Sequence, residues 1–296
     1  MEKIEDIAKG IGINVSFLYK VINNADKFYV SYYKKKKSGK DREIDAPSYQ
    51  VKSIQAWILN NVLQEVPISL HATGFVRGKG QGIKRNASFH VENKHILCMD
   101  IKDFFPSINY KKVWDVYKAL QLNDDICDKL AKISTYKERL PQGGVTSPCL
   151  SNIIFKTIDN DISELCSKLN ITYSRYADDL AFSCDYYNKL NNLIKEITKI
   201  INKYGFNVNE RKTRIYSGKD RKVVTGVILN SGRLTTGRKR KRILRAALHN
   251  LIVKKKEVMP INKMLGNYAF IRDIENDYAD KFKAYILKLK SKKTTL

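Results

Sequence analysis

Two adjacent aspartates, Asp178 and Asp179, lie between two β-forming runs, Ile171–Ala177 and Leu180–Cys184. Neighbouring side chains in a regular strand point to opposite faces, so the pair can serve one site only from the tip of a hairpin. Taken alone, an Asp-Asp step between strands reads as a turn. A third carboxylate changes its weight, because the short apolar strand Ile96–Met99 ends on Asp100, and sheet pairing would bring that end alongside the hairpin. Carboxylates about 4 Å apart repel by roughly 4 kcal/mol per pair at an effective dielectric near 20. Such a cluster persists only if it is protonated or holds cations. Hard oxygen ligands select Mg²⁺ or Mn²⁺. Two such ions about 3.5–4 Å apart suit in-line phosphoryl displacement, one activating an attacking 3′-oxygen and the other steadying a leaving pyrophosphate.

Charge points to the same kind of substrate. The chain carries 55 Lys+Arg against 30 Asp+Glu, a formal net charge of +25 over 296 residues. A polyanion is the natural partner, since phosphate contacts release condensed counterions. Charge alone does not separate nucleic acid from an anionic membrane or from a merely soluble basic protein. The excess is uneven: Ser231–Lys256 holds ten Lys or Arg and no acid. No run of eighteen apolar residues predicts a membrane span, and Met1–Gly10, with Glu2, Glu5 and Asp6, does not read as a signal peptide. Five cysteines, an odd number without a CxxC pair, predict reduced thiols in a cytosolic protein.

Ile4, Ile7, Ala8 and Ile11, then Val15, Leu18, Tyr19 and Ile22, have helical spacing across a break at Gly10–Gly12. They form either a helix-turn-helix that reads DNA or, as the loose spacing favours, a packing appendage. Tyr29, Tyr32 and Tyr33 run into Lys34–Lys37, which suits stacked bases and phosphates of a single strand or a solvated loop. A helix through Ile54–Leu63 precedes a loop rich in Gly and basic residues, Gly74–Arg85. Val113–Leu120 is the next helix. Ser147 then caps a helix with Pro148 at its first position, and the apolar spacing continues to Leu165. After the Asp178-Asp179 hairpin come a helix from Tyr187 to Tyr204 stopped by Gly205, a short strand Phe206–Val208, and a hairpin of Val223–Leu229 with Leu234-Thr235. A basic helical remainder follows, with a frayed tail from Lys288. The order predicts an α+β fold, an antiparallel sheet with helices on one face.

Tyr176-Ala177-Asp178-Asp179 resembles the YxDD box of reverse transcriptases. Met99–Ser107 resembles that family's first catalytic motif, Leu140–Pro148 its LPQG…SP motif, and Gly205-Phe206 through Lys212-Thr213 the motif after the YxDD hairpin. The four occur in the family's order, within a match from about Lys40 to Leu234. Asn86-Ala87-Ser88-Phe89-His90 resembles the NAxxH motif of retron reverse transcriptases from bacteria, and Val224-Thr225-Gly226 resembles their VTG motif.

The resemblance implies a right-hand polymerase fold. Residues 1–30 would be an N-terminal helical extension, 31–95 and 111–146 fingers, 96–110 and 147–233 a palm with the antiparallel sheet, and 234–296 a basic helical thumb. It implies an RNA-directed DNA polymerase with two Mg²⁺ ions, Mn²⁺ as the substitute, and Asp100, Ile101, Asp178 and Asp179 as the metal site. Lys212 would protonate pyrophosphate, or be a plain surface lysine. Lys40 and Arg42 would grip the triphosphate, Arg42 the better through its fork of donors. Phe105 would sit beneath the incoming sugar and clash with a 2′-hydroxyl, with Phe104 the neighbour to exclude. Gln142 and Gly143 would line the nucleotide pocket, and Tyr176 would pack beneath the primer end. Asn86 and His90 would lie in a region that contacts RNA. Ligand spacing gives His90 only His95 as a companion, so its own chemistry reads as a hydrogen-bonded structural histidine. Arg238, Lys239, Arg240, Lys241 and Arg242 would lie along an A-form duplex.

The implied partners are dNTPs, a structured noncoding RNA that is both template and primer, its branched DNA product, and a toxic effector held in check in antiphage defence. The setting would be the bacterial cytoplasm, without a membrane. No second set of carboxylate motifs follows Leu234, so no RNase H segment is expected. Rival readings are another bacterial defence or group II intron type of reverse transcriptase, an RNA-binding scaffold with vestigial catalysis, and a DNA-binding regulator built on residues 4–22.

Overall fold

A computed structural model describes residues 3–35, 39, 41–78, 80–218, 220–230 and 232–294. Lys36, Lys37 and Lys40 therefore lie outside the described residues. Helices α1 (Glu5–Ile11) and α2 (Val15–Asn23) turn at Gly12, whose φ of 76° is left-handed, and Asn14 caps α2 by accepting from the Ser16 N–H. Ile4, Ile7, Leu18, Val21 and Ile22 are all buried in the main core. The two helices pack into the core as the appendage reading expects, while Val15, Phe17 and Lys20 of α2 stay exposed. Strands β1 (Tyr29–Lys35) and β2 (Asp41–Pro47) pair antiparallel, so the run read as a single-strand contact or a solvated loop is in its first part a strand. Helix α3 (Tyr49–Ile58) ends in a π turn through Leu63, and the short α4 (Ile83–Ser88) follows the glycine-rich loop.

The central sheet is built from β3 (His95–Asp100), β4 (Thr172–Tyr176), β5 (Asp179–Cys184) and β6 (Arg214–Tyr216), in the order β4-β5-β3-β6 and antiparallel throughout. Between β3 and β4 run α5 (Tyr110–Ala119), α6 (Asp124–Ser134) and the long α7 (Ser147–Lys168); α8 (Tyr187–Lys203) follows β5. Alternation along β3 divides the molecule. Leu97 and Met99 face the main core with α5, α7 and α8, whereas Ile96 joins Ala87, Ala181, Val224, Val227 and Leu229 in a smaller cluster on the opposite face. That opposite face is covered by α4 and by a second sheet, β7 (Lys222–Val224), β8 (Val227–Asn230) and β9 (Arg233–Thr235). Helices α9 (Arg238–Ile252), α10 (Ile261–Ile274) and α11 (Asn276–Thr294) pack around a third cluster of Leu244, Ala247, Met264, Ile271 and Phe282. No helix among the described residues is long and apolar enough to cross a membrane.

Several local expectations need correction. The run Val223–Leu229 is not one strand, because Thr225 and Gly226 both take positive φ (46° and 82°) and turn it into the β7–β8 hairpin. Phe206–Val208 pairs only through a single bridge from Val208 to Ile101. Ser147 does not cap α7: the helix is preceded by Thr146, and both hydroxyls are buried without a partner. The expected frayed tail from Lys288 continues α11 as far as Thr294.

Asn86 and His90, expected among the RNA contacts, are fully buried. His90 bonds Ser183 through Nδ1 and Ser174 through Nε2, each at 2.7 Å, and Asn86 Oδ1 accepts from Ser174 at 2.7 Å and from Thr73 at 3.0 Å. The motif pins α4 to the sheet, and the hydrogen bonds of both side chains are spent inside the protein. Burial pulls the His90 pKa down from 6.5 to about 3, so the folded protein keeps the ring neutral while the unfolded chain protonates it. Its contribution is complete above pH 6.5 and is lost progressively as pH falls from 6.5 toward 3. At pH 5.5 the penalty is on the order of 1 kcal/mol. Urea denaturation at pH 7.5 and 5.5 is expected to show a smaller loss of stability in His90→Gln than in the parent.

Candidate active site

Strand pairing sets the carboxylates. Asp100, the last residue of β3, lies opposite Asp179, the first residue of β5, and the Ile101 N–H donates to the Asp178 carbonyl at 3.0 Å. Sequence-distant acids thus meet at one end of the sheet. The turn between β4 and β5 is strained: Ala177 has a φ of 57°, a region uncommon outside glycine. It is held from below by Arg175, whose Nη1 donates to the Ala177 carbonyl at 3.1 Å. Arg175 in turn forks onto Asp159 of α7 (Nε to Oδ1 2.9 Å, Nη2 to Oδ2 2.8 Å) and donates to Asn152 Oδ1 at 3.1 Å. Both charged side chains are wholly buried, and the Tyr173 hydroxyl donates to Asp159 at 2.7 Å.

Asp100 is buried, and its carboxylate is already engaged. Oδ1 accepts from Asn209 Nδ2 at 3.0 Å and Oδ2 from Lys212 Nζ at 2.5 Å. Asp178 and Asp179 have no such counter-charge. Desolvation, then the Asp100 carboxylate, raises the Asp178 pKa. Desolvation, then Asp178 and Asp100, pushes Asp179 up to about 6 against the relief that Lys212 offers. Among the described residues no three acidic, His or Cys side chains converge as a ready-made metal site; the Lys212 ammonium supplies the one direct counter-charge. The donor set still fits hard divalent cations, since two desolvated carboxylates stand beside a third and only one has an ion-pair partner.

These groups open on a cavity of about 970 Å³ lined, among others, by Arg42, Phe75, Asp100, Ile101, Phe105, Gln142, Gly143, Asp178 and Lys212. Phe104 and Phe105 both line the cavity; Phe104 is buried, with its ring against Phe155, whereas Phe105 is half-buried. Gly143 has a φ of 143°, and a Cβ there would lie 2.5 Å from the Asp45 carbonyl. The Asp45 N–H donates to the Gln142 carbonyl at 3.0 Å, which ties the β1–β2 hairpin, and Arg42 with it, to the cavity wall. Tyr176 and Asp179 line an adjoining pocket with Thr225 and Gly226. Lys40 falls outside the described residues.

The basic cluster of α9 lies apart from the cavity, and two of its members are engaged internally. Lys241 pairs with Glu275 at 2.5 Å and lies 4.0 Å from the Tyr278 ring centroid, while Arg240 covers Phe270 at 4.0 Å. The expectation that the whole run is free for phosphate is therefore corrected for Lys241; Arg238, Lys239 and Arg242 are exposed. Sequence reasoning missed Arg175, Asp159, Asn152, Asn209 and Phe75. Arg175 left one signal, a charge inside an otherwise buried β run; the others left none.

The reverse transcriptase (RNA-dependent DNA polymerase) family profile matches residues 33–257. The chain is 33% identical to the Retron Ec86 reverse transcriptase of Escherichia coli over 99% of this chain and 91% of that protein. It is 33% identical to the Retron Mx65 reverse transcriptase of Myxococcus xanthus over 83% of this chain and 62% of that one. Among solved structures it is similar to a foamy viral protease-reverse transcriptase in complex with double-stranded DNA, with a TM-score of 0.48, 18% identity, and coverage of 82% of this chain and 36% of that one. The chain belongs to the reverse transcriptase family, in its retron branch. It is an RNA-directed DNA polymerase with an α+β fold built on antiparallel sheets.

Removing one partner of a buried ion pair strands the other. Asp159→Asn is expected to lower the unfolding free energy by about 3–5 kcal/mol, read as a lower urea midpoint with an unchanged slope.

Proposed function

We propose that the enzyme copies a structured noncoding RNA, using a 2′-hydroxyl of the same RNA as primer, and so makes a branched RNA–DNA hybrid by nucleotidyl transfer at Asp100, Asp178 and Asp179. The observation that carries this reading is the pairing of Asp100 with Asp179 beside Asp178, with one ammonium among three carboxylates. Asp100, Asp178, Asp179 and the main-chain carbonyl of Ile101 would hold two divalent cations, Mg²⁺ or Mn²⁺. When bound, these ions would acidify the attacking hydroxyl and neutralise the departing pyrophosphate.

The protein's own groups do the rest. The Arg42 guanidinium binds the triphosphate from the β1–β2 hairpin, with Lys40 as its partner. Gln142 and Gly143 line the nucleotide pocket, Phe105 closes the space a 2′-hydroxyl would need, and Tyr176 supports the primer end. The attacking hydroxyl passes its proton to water as its oxygen forms a bond to the α-phosphorus, and the bond from that phosphorus to the bridging oxygen breaks. Lys212, released from Asp100, gives a proton to the leaving pyrophosphate. In this reading residues 31–95 and 111–146 are fingers and 96–110 and 147–233 palm. Residues 234–296 are the thumb that follows the duplex through Arg238, Lys239 and Arg242, behind an N-terminal extension of residues 1–30. The similarity to retron reverse transcriptases supports a cytoplasmic complex with its RNA and a toxic effector, acting in antiphage defence.

Asp178→Ala is expected to reduce DNA synthesis from the copurifying RNA to below about one per cent of the parent, because the cations lose an essential oxygen donor. Product equal to the parent's would refute the site. Replacing Arg238, Lys239 and Arg242 together by Ala is expected to weaken RNA binding and to flatten its log–log salt dependence by roughly one unit for each phosphate no longer neutralised. An unchanged slope in filter-binding titrations would put the duplex elsewhere.

A further inference from the structure

Phe75 combines three properties that do not belong together in a packing residue. Its φ is 62°, a left-handed conformation that is an outlier for a bulky side chain. Its side chain is 46% exposed, so core burial does not offset the strain. Its ring lines the catalytic cavity. Strained residues persist where the surroundings over-determine them, and here they do. Thr73 donates to the Arg175 carbonyl through both its N–H (2.8 Å) and its hydroxyl (2.9 Å), and Asn152 Nδ2 donates to the Gly74 carbonyl at 2.9 Å. A Cβ on Gly74 would lie 2.8 Å from the Ala177 nitrogen. The segment before Phe75 is therefore pressed against the catalytic turn, and the ring is delivered into the cavity at a fixed place.

That place lies between two residues of the site. The Phe75 ring centroid is 6.1 Å from Phe105 and 6.3 Å from Tyr176, both in tilted contact. Phe105 already rests on Phe104 in an edge contact at 5.4 Å. Phe75 supplies a second aromatic contact to Phe105, made by a side chain that itself faces the cavity.

We propose that Phe75 is a positioning residue for sugar selection: it braces Phe105, so that the Phe105 ring cannot retreat from a 2′-hydroxyl, and it joins Phe105 to Tyr176 in one aromatic floor. This rests on the reading of Phe105 as the residue that excludes ribonucleotides, and it adds the support that makes the exclusion effective. Phe75→Asn and Phe75→Gly both accept a positive φ, so they remove the ring without asking the backbone to move.

The test measures kcat/KM for dNTP and for the matching rNTP, together with the thermal midpoint, in the RNA-bound enzyme. In Phe75→Asn and Phe75→Gly the preference for dNTP is expected to fall about 3- to 10-fold, the worth of one aromatic contact, while the midpoint stays level or rises because strain is relieved. Phe75→Tyr, which keeps a ring, is expected to retain the parent ratio. Phe105→Val is the control and lowers the ratio further. If Phe105→Val lowers the ratio and both Phe75 variants keep it, bracing is overturned while the Phe105 reading stands. If the Phe75 variants lose stability with an unchanged ratio, the ring is a packing residue and the proposal also fails. If Phe105→Val itself leaves the ratio unaltered, both readings fall.

Discussion

Arg175 and Asp159 exchange two hydrogen bonds where neither side chain reaches water. A buried pair of this kind is weak evidence of net stabilisation, because desolvation opposes the attraction. Its consequence here is geometric. The same guanidinium that is fixed by α7 also grips the Ala177 carbonyl, one residue before Asp178 and Asp179. The backbone at Ala177 is strained, and a strained turn stays in place only when its neighbours hold it. Tyr173, Asn152, Thr73 and Gly74 complete that hold from three different segments of the chain. The aim of Asp178 and Asp179 is thus decided by a polar network behind them.

In front of that network the electrostatics run the other way. Among the described residues, three carboxylates share the end of the sheet with a single direct counter-charge; desolvation and then Asp100 push Asp178 toward protonation, and desolvation, Asp178 and Asp100 do the same to Asp179. A rigid, fully satisfied network therefore supports an under-neutralised cluster. The first keeps the acids from moving apart to relieve their repulsion, and the second leaves hard oxygen donors of the kind that suit divalent cations. The +25 excess over the whole chain attracts the polyanion from a distance, whereas the acidic cluster meets it locally.

Much of this was legible in the order of residues. The β runs around Asp178-Asp179, the strand ending at Asp100, the helix opening near Ser147-Pro148 and the helix from Tyr187 all appear close to where their apolar periodicity puts them. Failures cluster where backbone conformation departs from what composition suggests. Val223–Leu229 looks like continuous strand, yet Thr225 takes a positive φ that a β-branched residue seldom adopts. The resemblance put Asn86 and His90 in an RNA-contacting region, whereas the residues around His90 read as a hydrogen-bonded structural histidine; two serines on neighbouring strands give the ring those hydrogen bonds. Lys241 looked free because Glu275, its partner, lies 34 residues on.

By itself the sequence determined which chemistry is available: three acids at strand ends, a glycine-bearing loop opposite them, an aromatic pair at Phe104-Phe105, and a basic C-terminal third. These follow from local rules, period, turn chemistry and charge, that act over a few residues. Only the tertiary structure decided how deeply each phenylalanine of that pair is buried, which cations are spent on internal acids, and what holds the aspartate turn in its strained form. Those outcomes depend on contacts between residues tens of positions apart, whose pairing no local pattern encodes.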